Sequence, residues 1–579
     1  MLTASDLPSH PAAKQGTQMD CDFLVIGSGA AGLSAAVTAA RSGLKVVLAE
    51  KDGVLGGTSA WSGGWIFAPC NPVARRAGII EGPAAPRTYL QSVLGPNFDA
   101  AKVDAFLTHA PRMVAFLEAA GLEFQGGNHI PDTYSDRPGA GQGGRSVIAA
   151  PFDGRRLGGR IALLRKPLRE TSFMGMTIQS GADLRAFMTM LRSVPAFAHV
   201  TRRFGRHLWD LLRHGRGMQL RNGNALVARL MLAADQAGVT LLTRAPARAL
   251  IREGGRVAGA VLAGPGGEVT IRARRGVLLA TGGFAQDPER RAAQFPAPAT
   301  HASLAVPGAT GDGLRLAETV GAVQDTSLAS PGAWCPVSEV LWPDGSGGVF
   351  PHIIERGKPG IIGVLKNGRR FCNEGLGYHD YVTALLAAVG PGALPESWLI
   401  CTRAFQRRYG LGVSRPAPLP VGGWIRRGYL RTGATPEALA RACGIDPQGL
   451  AQTLADWNRD AARGEDPAFG RGSTAYMRLQ GDPEVAPNPC VAPISRGPFY
   501  AVRVIPGSFG TFAGLASDGR ARVLDATGAP IPGLYAAGCD MASVMGGHYP
   551  AGGINLGPAL TFGHIAALDA AGRLEENIP

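Results

Sequence analysis

An α/β fold organised around a parallel sheet is predicted, on three observations. Residues 22–53 run from a short apolar stretch through a glycine turn and a helix-length run of small residues to a second apolar stretch. Two more strand-like runs end on glycine far along the chain: Val277–Ala280 into Thr281-Gly282-Gly283, and Leu534–Ala537 into Gly538. Between these, residues 325–503 hold prolines, tryptophans and tyrosines without regular periodicity. Distant strands of one kind, interrupted by a stretch of another kind, imply a discontinuous domain with a second, α+β domain inserted.

Taken in order, residues 1–20 carry no apolar core and are expected to be a disordered leader. Phe23–Ile26 is short and wholly apolar, as a strand covered on both faces should be. Gly27 permits a sharp turn, Gly29 lets backbone approach a pyrophosphate, and Gly32 lets the following helix pack on the strand. The amides from Ala30 and Ala31 onward would then face phosphate. Glu50 ends the second strand 23 residues after Gly27, placed to accept from a ribose hydroxyl, with Lys51 beside it. Together these residues form a Rossmann-like dinucleotide-binding unit.

Helices are expected over 85–121, with Val103, Phe106, Leu107, Met113, Val114 and Leu117 at helical spacing. A glycine- and proline-rich loop is expected over 122–160, and mostly helix over 180–238. Strands then return at Thr240–Leu242, Arg248–Arg252, Val257–Ala263, Val269–Ala273 and Gly276–Ala280. They read as a small antiparallel sheet inserted into the nucleotide domain. Near the C-terminus Asn555 and Leu556 open a helix with Pro558 in its first turn. The expected domains are 21–324, with a basic helical segment at 155–225, then 325–503, and a completing segment 504–579 that returns to the first domain.

At 579 residues the chain is too long for a single core. No apolar run reaches membrane-span length, and the start lacks an export signal. The eight cysteines lie far apart with no C-x-x-C pair, so no metal site is signalled and a reducing cytoplasm fits. The net charge of +14 is concentrated: Arg155–Arg221 holds 14 Lys/Arg against Glu170, Asp183 and Asp210.

A second glycine loop, Gly56-Gly57-Thr58-Ser59-Ala60-Trp61-Ser62-Gly63-Gly64, follows Glu50 closely. A nicotinamide enzyme has no use for one there. A flavin does, because its ring must lie against backbone. With Thr281–Phe284 and Leu534–Gly538, this set resembles FAD-dependent fumarate reductases and 3-ketosteroid Δ1-dehydrogenases over most of residues 20–579, least well over 160–225. The resemblance implies FAD held at Gly27, Gly29, Ala30, Ala31, Gly32, Glu50, Lys51, Gly57, Thr58, Ser59, Ser62, Gly63, Gly64, Thr281, Gly282, Gly283, Gly538, Asn555 and Leu556. Relatives that bind FAD covalently carry a histidine where this chain has Gly57, so non-covalent FAD is expected.

The string Gly368-Arg369-Arg370-Phe371-Cys372-Asn373-Glu374 resembles a G-x-R-F-x-N-E run common to both branches. Four residues later fumarate reductases place a proton-delivering arginine; here Tyr378 stands. A dianion needs arginine clamps and a ketone does not, so the tyrosine favours a neutral carbonyl. Ser543–Gly553 resembles the S-V-M-G-x-x-Y-P-G-x-G motif of the Δ1-dehydrogenases, with Ala551 in place of a glycine. It implies that Tyr549 and the Gly553 amide hold a ketone oxygen. The loop Pro131–Gly139 resembles one that supplies an active-site tyrosine, but Tyr134 sits one position late, where the pattern's own position holds Thr133.

The reaction so implied removes two hydrogens from adjacent carbons beside a ring ketone, on a 3-ketosteroid or a smaller cyclohexanone-type substrate, and passes electrons to an external acceptor. Tyr378 would act as base, with Tyr134 as its aid. Two rival functions are a fumarate-reductase-like ene-reductase acting on a carboxylate and a non-catalytic flavin-binding, membrane-associated protein. In Thr201–His214, Phe204, Leu208, Leu211 and Leu212 fall at helical spacing among arginines and Trp209. A helix of this kind over 200–216 can lie on an anionic membrane surface, suiting a lipophilic substrate, or pack against protein with a solvated basic face. No nucleic-acid module is present. The expected location is the cytoplasm, with peripheral contact at the inner membrane surface if the first alternative holds.

Overall fold

The computed structural model describes residues 17–127 and 129–576. Among them, one mixed sheet of eight strands carries the nucleotide half. Its main path runs Arg522–Leu524, Pro530–Ala536, Gly267–Leu279, Thr17–Ile26, Val46–Ala49 and Thr240–Leu242. The four segments around Phe23–Ile26 pair in parallel, so their strand ends, and the glycine turns after them, open on one edge. Helix Ala30–Arg41 covers the sheet and packs on Leu556–Ala571. Contact between these helices is close. A Cβ on Gly563 would lie 2.4 Å from the Ala31 carbonyl oxygen, and Ser34 Oγ donates to the Leu560 carbonyl at 2.9 Å.

Several expectations are corrected here. Residues 17–20 are not leader: they extend the first strand, with Thr17 opposite Val269. The remainder of the expected leader, 1–16, lies outside the described residues. Thr240–Leu242 belongs to the parallel sheet beside Val46–Ala49, not to the antiparallel insert. Val269–Ala273 and Gly276–Ala280 form parts of one strand, Gly267–Leu279, whose first half pairs antiparallel with Arg256–Gly264 and whose second half pairs with Pro530–Ala536. Gly276 sits at the change of partner with φ +133°, and a Cβ there would lie 2.6 Å from the Gly533 carbonyl oxygen. The expected loop 122–160 contains strand Ser146–Ala149, which pairs with Trp65–Phe67 and Phe124–Gly126. All four of its residues are buried, so it shows no alternation for a sequence to reveal.

The second sheet is antiparallel along Gly347–Pro351, Gly332–Leu341, Phe499–Thr511, Ser397–Thr402 and Ile361–Val364. The long strand Phe499–Thr511 runs straight through the boundary expected at 503. Its far end brings Phe509 and Thr511 toward the nucleotide half. Helix Tyr378–Val389 packs on Gly332–Leu341, which places its first residue at the junction of the two halves.

Candidate active site

A cavity of about 1120 Å³ runs along that junction, from Glu50 to Tyr378. This exceeds the roughly 300–1,000 Å³ that suits one drug-sized molecule. Of the nucleotide residues expected from sequence, all line it except Gly32 and Gly283, which act on the backbone behind it. A Cβ on Gly32 would fall 1.9 Å from the Gly27 carbonyl oxygen, and one on Gly283 2.3 Å from Thr511 Oγ1. Gly27 itself has φ +107°, and a Cβ there would lie 2.1 Å from the Ala280 carbonyl oxygen. The turn is therefore closed to any other residue.

Glu50 accepts from the Ser28 hydroxyl at 2.6 Å and from the Ser28 amide at 3.1 Å. This ties the end of the second strand to the first glycine turn. Ser59 Oγ accepts from the Ala30 amide at 3.0 Å, so the second glycine loop closes over the first helix terminus. Thr58 Oγ1 accepts from the Val306 amide at 3.1 Å, and Lys51 Nζ reaches Asp312 at 2.5 Å. Sequence reading missed Asp540. It is fully buried and accepts from the amides of Thr281 and Gly283 and from Thr281 Oγ1, holding that glycine pair in place. Its only signal was a lone acid just past Gly538. Backbone lining the cavity at Gly57, Gly63 and Gly64, three glycine turns on one sheet edge, and a helix opening at Leu556 all fit FAD.

At the other end stand the tyrosines. Tyr378 and Tyr549 pack edge to face with ring centroids 4.8 Å apart. Asn555 Nδ2 donates to the Tyr549 hydroxyl at 3.2 Å. Burial is the main reason that both phenols are raised above their usual range. Gly553 has φ +97°, and a Cβ would sit 2.6 Å from the Phe67 amide nitrogen. Its carbonyl accepts from the Phe67 and Gly557 amides, and the residue lines the cavity. Phe509 stacks edge-on against Tyr378 at 5.3 Å and completes an apolar wall.

Tyr134 is not in that wall. Its hydroxyl donates to Asp380 Oδ1 at 2.7 Å, and the residue lining the cavity is Thr133. The loop register decides this: the Thr133 amide is bonded to the Pro550 carbonyl, which aims the threonine inward and its successor away. A third phenol does reach the site, from a different element. Tyr476, on helix Ala475–Gln480, is buried and lines the cavity, with its amide donating to Ser135 Oγ at 3.2 Å. No motif marks it. His379 accepts from the Trp334 amide at 3.2 Å and burial lowers it to about 3, so it serves as a neutral anchor for the Tyr378 helix.

The G-x-R-F-x-N-E string works at one remove. Glu374 is fully buried; Arg370 binds it through Nε and Nη2, and Arg471 through Nη1. The Gly363 amide donates to it at 2.9 Å, and Arg356 holds its carbonyl at 2.9 Å. This cluster fixes the turn that leads into Tyr378.

The chain is similar along nearly its whole length to known proteins. A family model described as FAD binding domain matches residues 22–556. The 4-oxocyclohex-2-ene-1-carboxylate 5-dehydrogenase of Sinomonas cyclohexanicum is 39% identical over 96% of this chain and 95% of its own length. The 3-oxosteroid 1-dehydrogenase of Mycolicibacterium smegmatis is 34% identical, covering 96% of this chain and 98% of its own. The crystal structure of 3-ketosteroid Δ1-dehydrogenase from Sterolibacterium denitrificans, in complex with 1,4-androstadiene-3,17-dione, superimposes with a TM-score of 0.87 at 35% identity, covering 96% of this chain and 99% of that one.

Proposed function

This chain belongs to the FAD binding domain family, and we propose that it grips a ring ketone between the Tyr549 hydroxyl and the Gly553 amide while Tyr378 takes the adjacent α-proton. It is an FAD-dependent oxidoreductase that removes two hydrogens from neighbouring carbons beside a ring ketone. When bound, FAD supplies the acceptor for the β-hydrogen and its electron pair.

The observation that carries the assignment of roles is the packing of Tyr378 on Tyr549 in the cavity wall that Gly553 also lines. Two donors converging on one oxygen stabilise the charge that grows there as the α-proton leaves, and losing one such donor typically costs roughly 10²–10³ in rate. Burial removes water from the site and strengthens both bonds. Tyr378 has no cationic partner, whereas a carboxylate-reducing site would place arginine at the proton. The test is anaerobic mixing of the FAD-loaded protein with cyclohexanone, 4-oxocyclohexanecarboxylate, androst-4-ene-3,17-dione or succinate. Bleaching of the flavin by ketones but not by succinate is expected; bleaching by succinate alone would overturn the reading.

A peripheral membrane contact is also proposed, on one observation. Helix Val194–His214 turns its polar residues inward: Arg203 pairs with Asp183, His207 bonds the Met174 carbonyl, and Asp210 is held by Arg155. Its outward side carries Val194 (82% exposed), Trp209 (59%) and Leu212 (84%), flanked by exposed Arg202, Arg206 and Arg213. Of the apolar positions expected from the spacing, Leu208 and Leu212 face away from the protein, whereas Phe204 and Leu211 are half-buried and Phe204 packs on Phe173. No described helix is long and apolar enough to cross a membrane, so this contact would be superficial. It would bring the cavity to lipid-dissolved substrate or electron acceptor. Flotation with phosphatidylglycerol vesicles at low salt is expected, and its loss in a Trp209→Ser/Leu212→Ser variant; equal flotation of both forms would refute the contact.

A further inference from the structure

One side of the cavity is walled by a single layer of chain. Helix Ala182–Thr189 lines it, and two of its residues, Ala182 and Arg185, border the cavity while being exposed to water. Opposite, Leu479, Pro483 and Glu484 are likewise both cavity-lining and exposed. Residues that touch both spaces ring a mouth, and this one opens between the helix and the segment that follows Tyr476.

That helix is held unlike the elements around it. It pairs with Val194–His214, and Asp183 ties the two together: His199 bonds it at 2.8 Å and Arg203 pairs with it. Among the described residues, no side chain from Ala182 to His214 joins a hydrophobic core. Its buried side chains are mostly polar, Asp183, Arg203, His207 and Asp210, while Leu191, Val194 and Phe197 are exposed. The bonds to the body gather at the base of the pair: Arg203 Nη2 to the Thr177 carbonyl, His207 to the Met174 carbonyl, and Asp210 to Arg155 and the Met218 amide. The base also holds two joints. Gly181 precedes the first helix with φ +97°, and Gly215 follows the second with φ +69° and open space where a Cβ would stand. At the tip, the turn of residues 190–193, Arg192 Nη1 reaches across the mouth to Glu484 at 2.8 Å. Both side chains are exposed, and an exposed pair of this kind holds weakly. A unit with little buried apolar surface and a weak bond at its tip opens at far less cost than a helix rooted in a core.

We propose that this helix pair is a lid, swinging on the glycines at its base and latched by Arg192 and Glu484, and that substrate enters and product leaves beneath it. Element-terminal residues of this kind absorb the backbone change in hinged closures. Closed, the lid completes the cavity wall and keeps bulk water from the reaction. The proposal rests on the ring-ketone reading above for what passes the mouth, but not for the motion itself.

Hydrogen exchange of the FAD-loaded full chain reads the motion. Amides of 184–198 are expected to exchange faster than those of Pro447–Ala461, a surface helix whose Leu450, Leu454 and Trp457 are seated in a core, and faster again in Arg192→Ala. Function is read on an Arg192→Cys/Glu484→Cys variant bridged by a bismaleimide with a reducible linker. The bridged form should keep its flavin yet lose rapid anaerobic bleaching by androst-4-ene-3,17-dione and cyclohexanone, and regain it once dithiothreitol cuts the linker. The parent treated alike controls for Cys70 and Cys539, which are partly exposed. Exchange over 184–198 as slow as in Pro447–Ala461 overturns the lid, whether or not the bridge forms, and so does bleaching of the bridged protein at the unbridged rate. Exchange unchanged in Arg192→Ala overturns the latch. Failure of both ketones to bleach the unaltered protein removes the ketone reading and leaves the exchange result to decide the lid.

Discussion

Tyr378→Phe is expected to lower turnover by roughly 10²–10⁴-fold, the usual worth of a positioned general base, while FAD stays bound and the fold is kept. The reasoning is local. Only the hydroxyl is removed, so the edge-on contacts with Phe509 and Tyr549 survive. The residue opens a helix whose other anchors, His379 to the Trp334 amide and Thr383 to the His379 carbonyl, are untouched. The pH profile of the unaltered protein carries the same information. Burial raises the Tyr378 phenol, and the neighbouring Tyr549 adds to that. The proton-accepting form is then scarce at neutral pH, so kcat/KM should rise with pH through the alkaline range. Stopped-flow flavin reduction between pH 6 and 10 checks both statements; a rate for the Tyr378→Phe variant near that of the parent would remove Tyr378 as the base.

The second large effect is on stability. Glu374→Ala should destabilise the chain by about 3–5 kcal/mol, the typical result of stripping one partner from a buried ion pair. It leaves the buried guanidinium of Arg471, and one face of Arg370, without their carboxylate. Burial alone would push Glu374 up; the Arg370 guanidinium first, then Arg471 and the Gly363 amide, more than reverse this and hold it below its ordinary value. The sign follows from linkage. A carboxyl lowered by folding stabilises the native state fully above its unfolded value near 4.5 and loses that contribution as pH falls through its folded value. Thermal unfolding from pH 7 down to pH 3 should therefore show a steeper acid loss in the parent than in Glu374→Gln, which keeps hydrogen bonds without the charge. Parallel acid profiles would show that the cluster contributes nothing through ionisation.

Legibility followed the range of the interactions. The first glycine turn, Gly27 to Gly32, was readable as a short motif with both strands and the helix in register; a Cβ on Gly32 would meet the Gly27 carbonyl oxygen within the turn itself, whereas Gly27 is closed by Ala280 of a distant strand. Tyr549 and Gly553 were readable because one short stretch of chain carries both. The helical stripe of Leu208 and Leu212 was readable as spacing, but not its direction. Periodicity reports that a helix has two faces, and which face is buried depends on what packs there. Here Asp183, Asp153 and the Met218 amide draw the polar side inward.

The rest came from chain segments that meet only after folding. Tyr134 and Thr133 differ by one residue, and a single backbone bond to Pro550 decides which one lines the cavity. Tyr476 lies 98 positions beyond Tyr378 and carries no motif, yet its helix delivers a phenol to the cavity. Residue type and local spacing thus determined by themselves the nucleotide turns, and the resemblance of short motifs pointed to the cofactor, since backbone sterics and short-range bonds act over a few residues. The tertiary structure alone decided which way each helix faces and which phenol fills the third place, because burial and packing are properties of the assembled neighbourhood and not of any one stretch of chain.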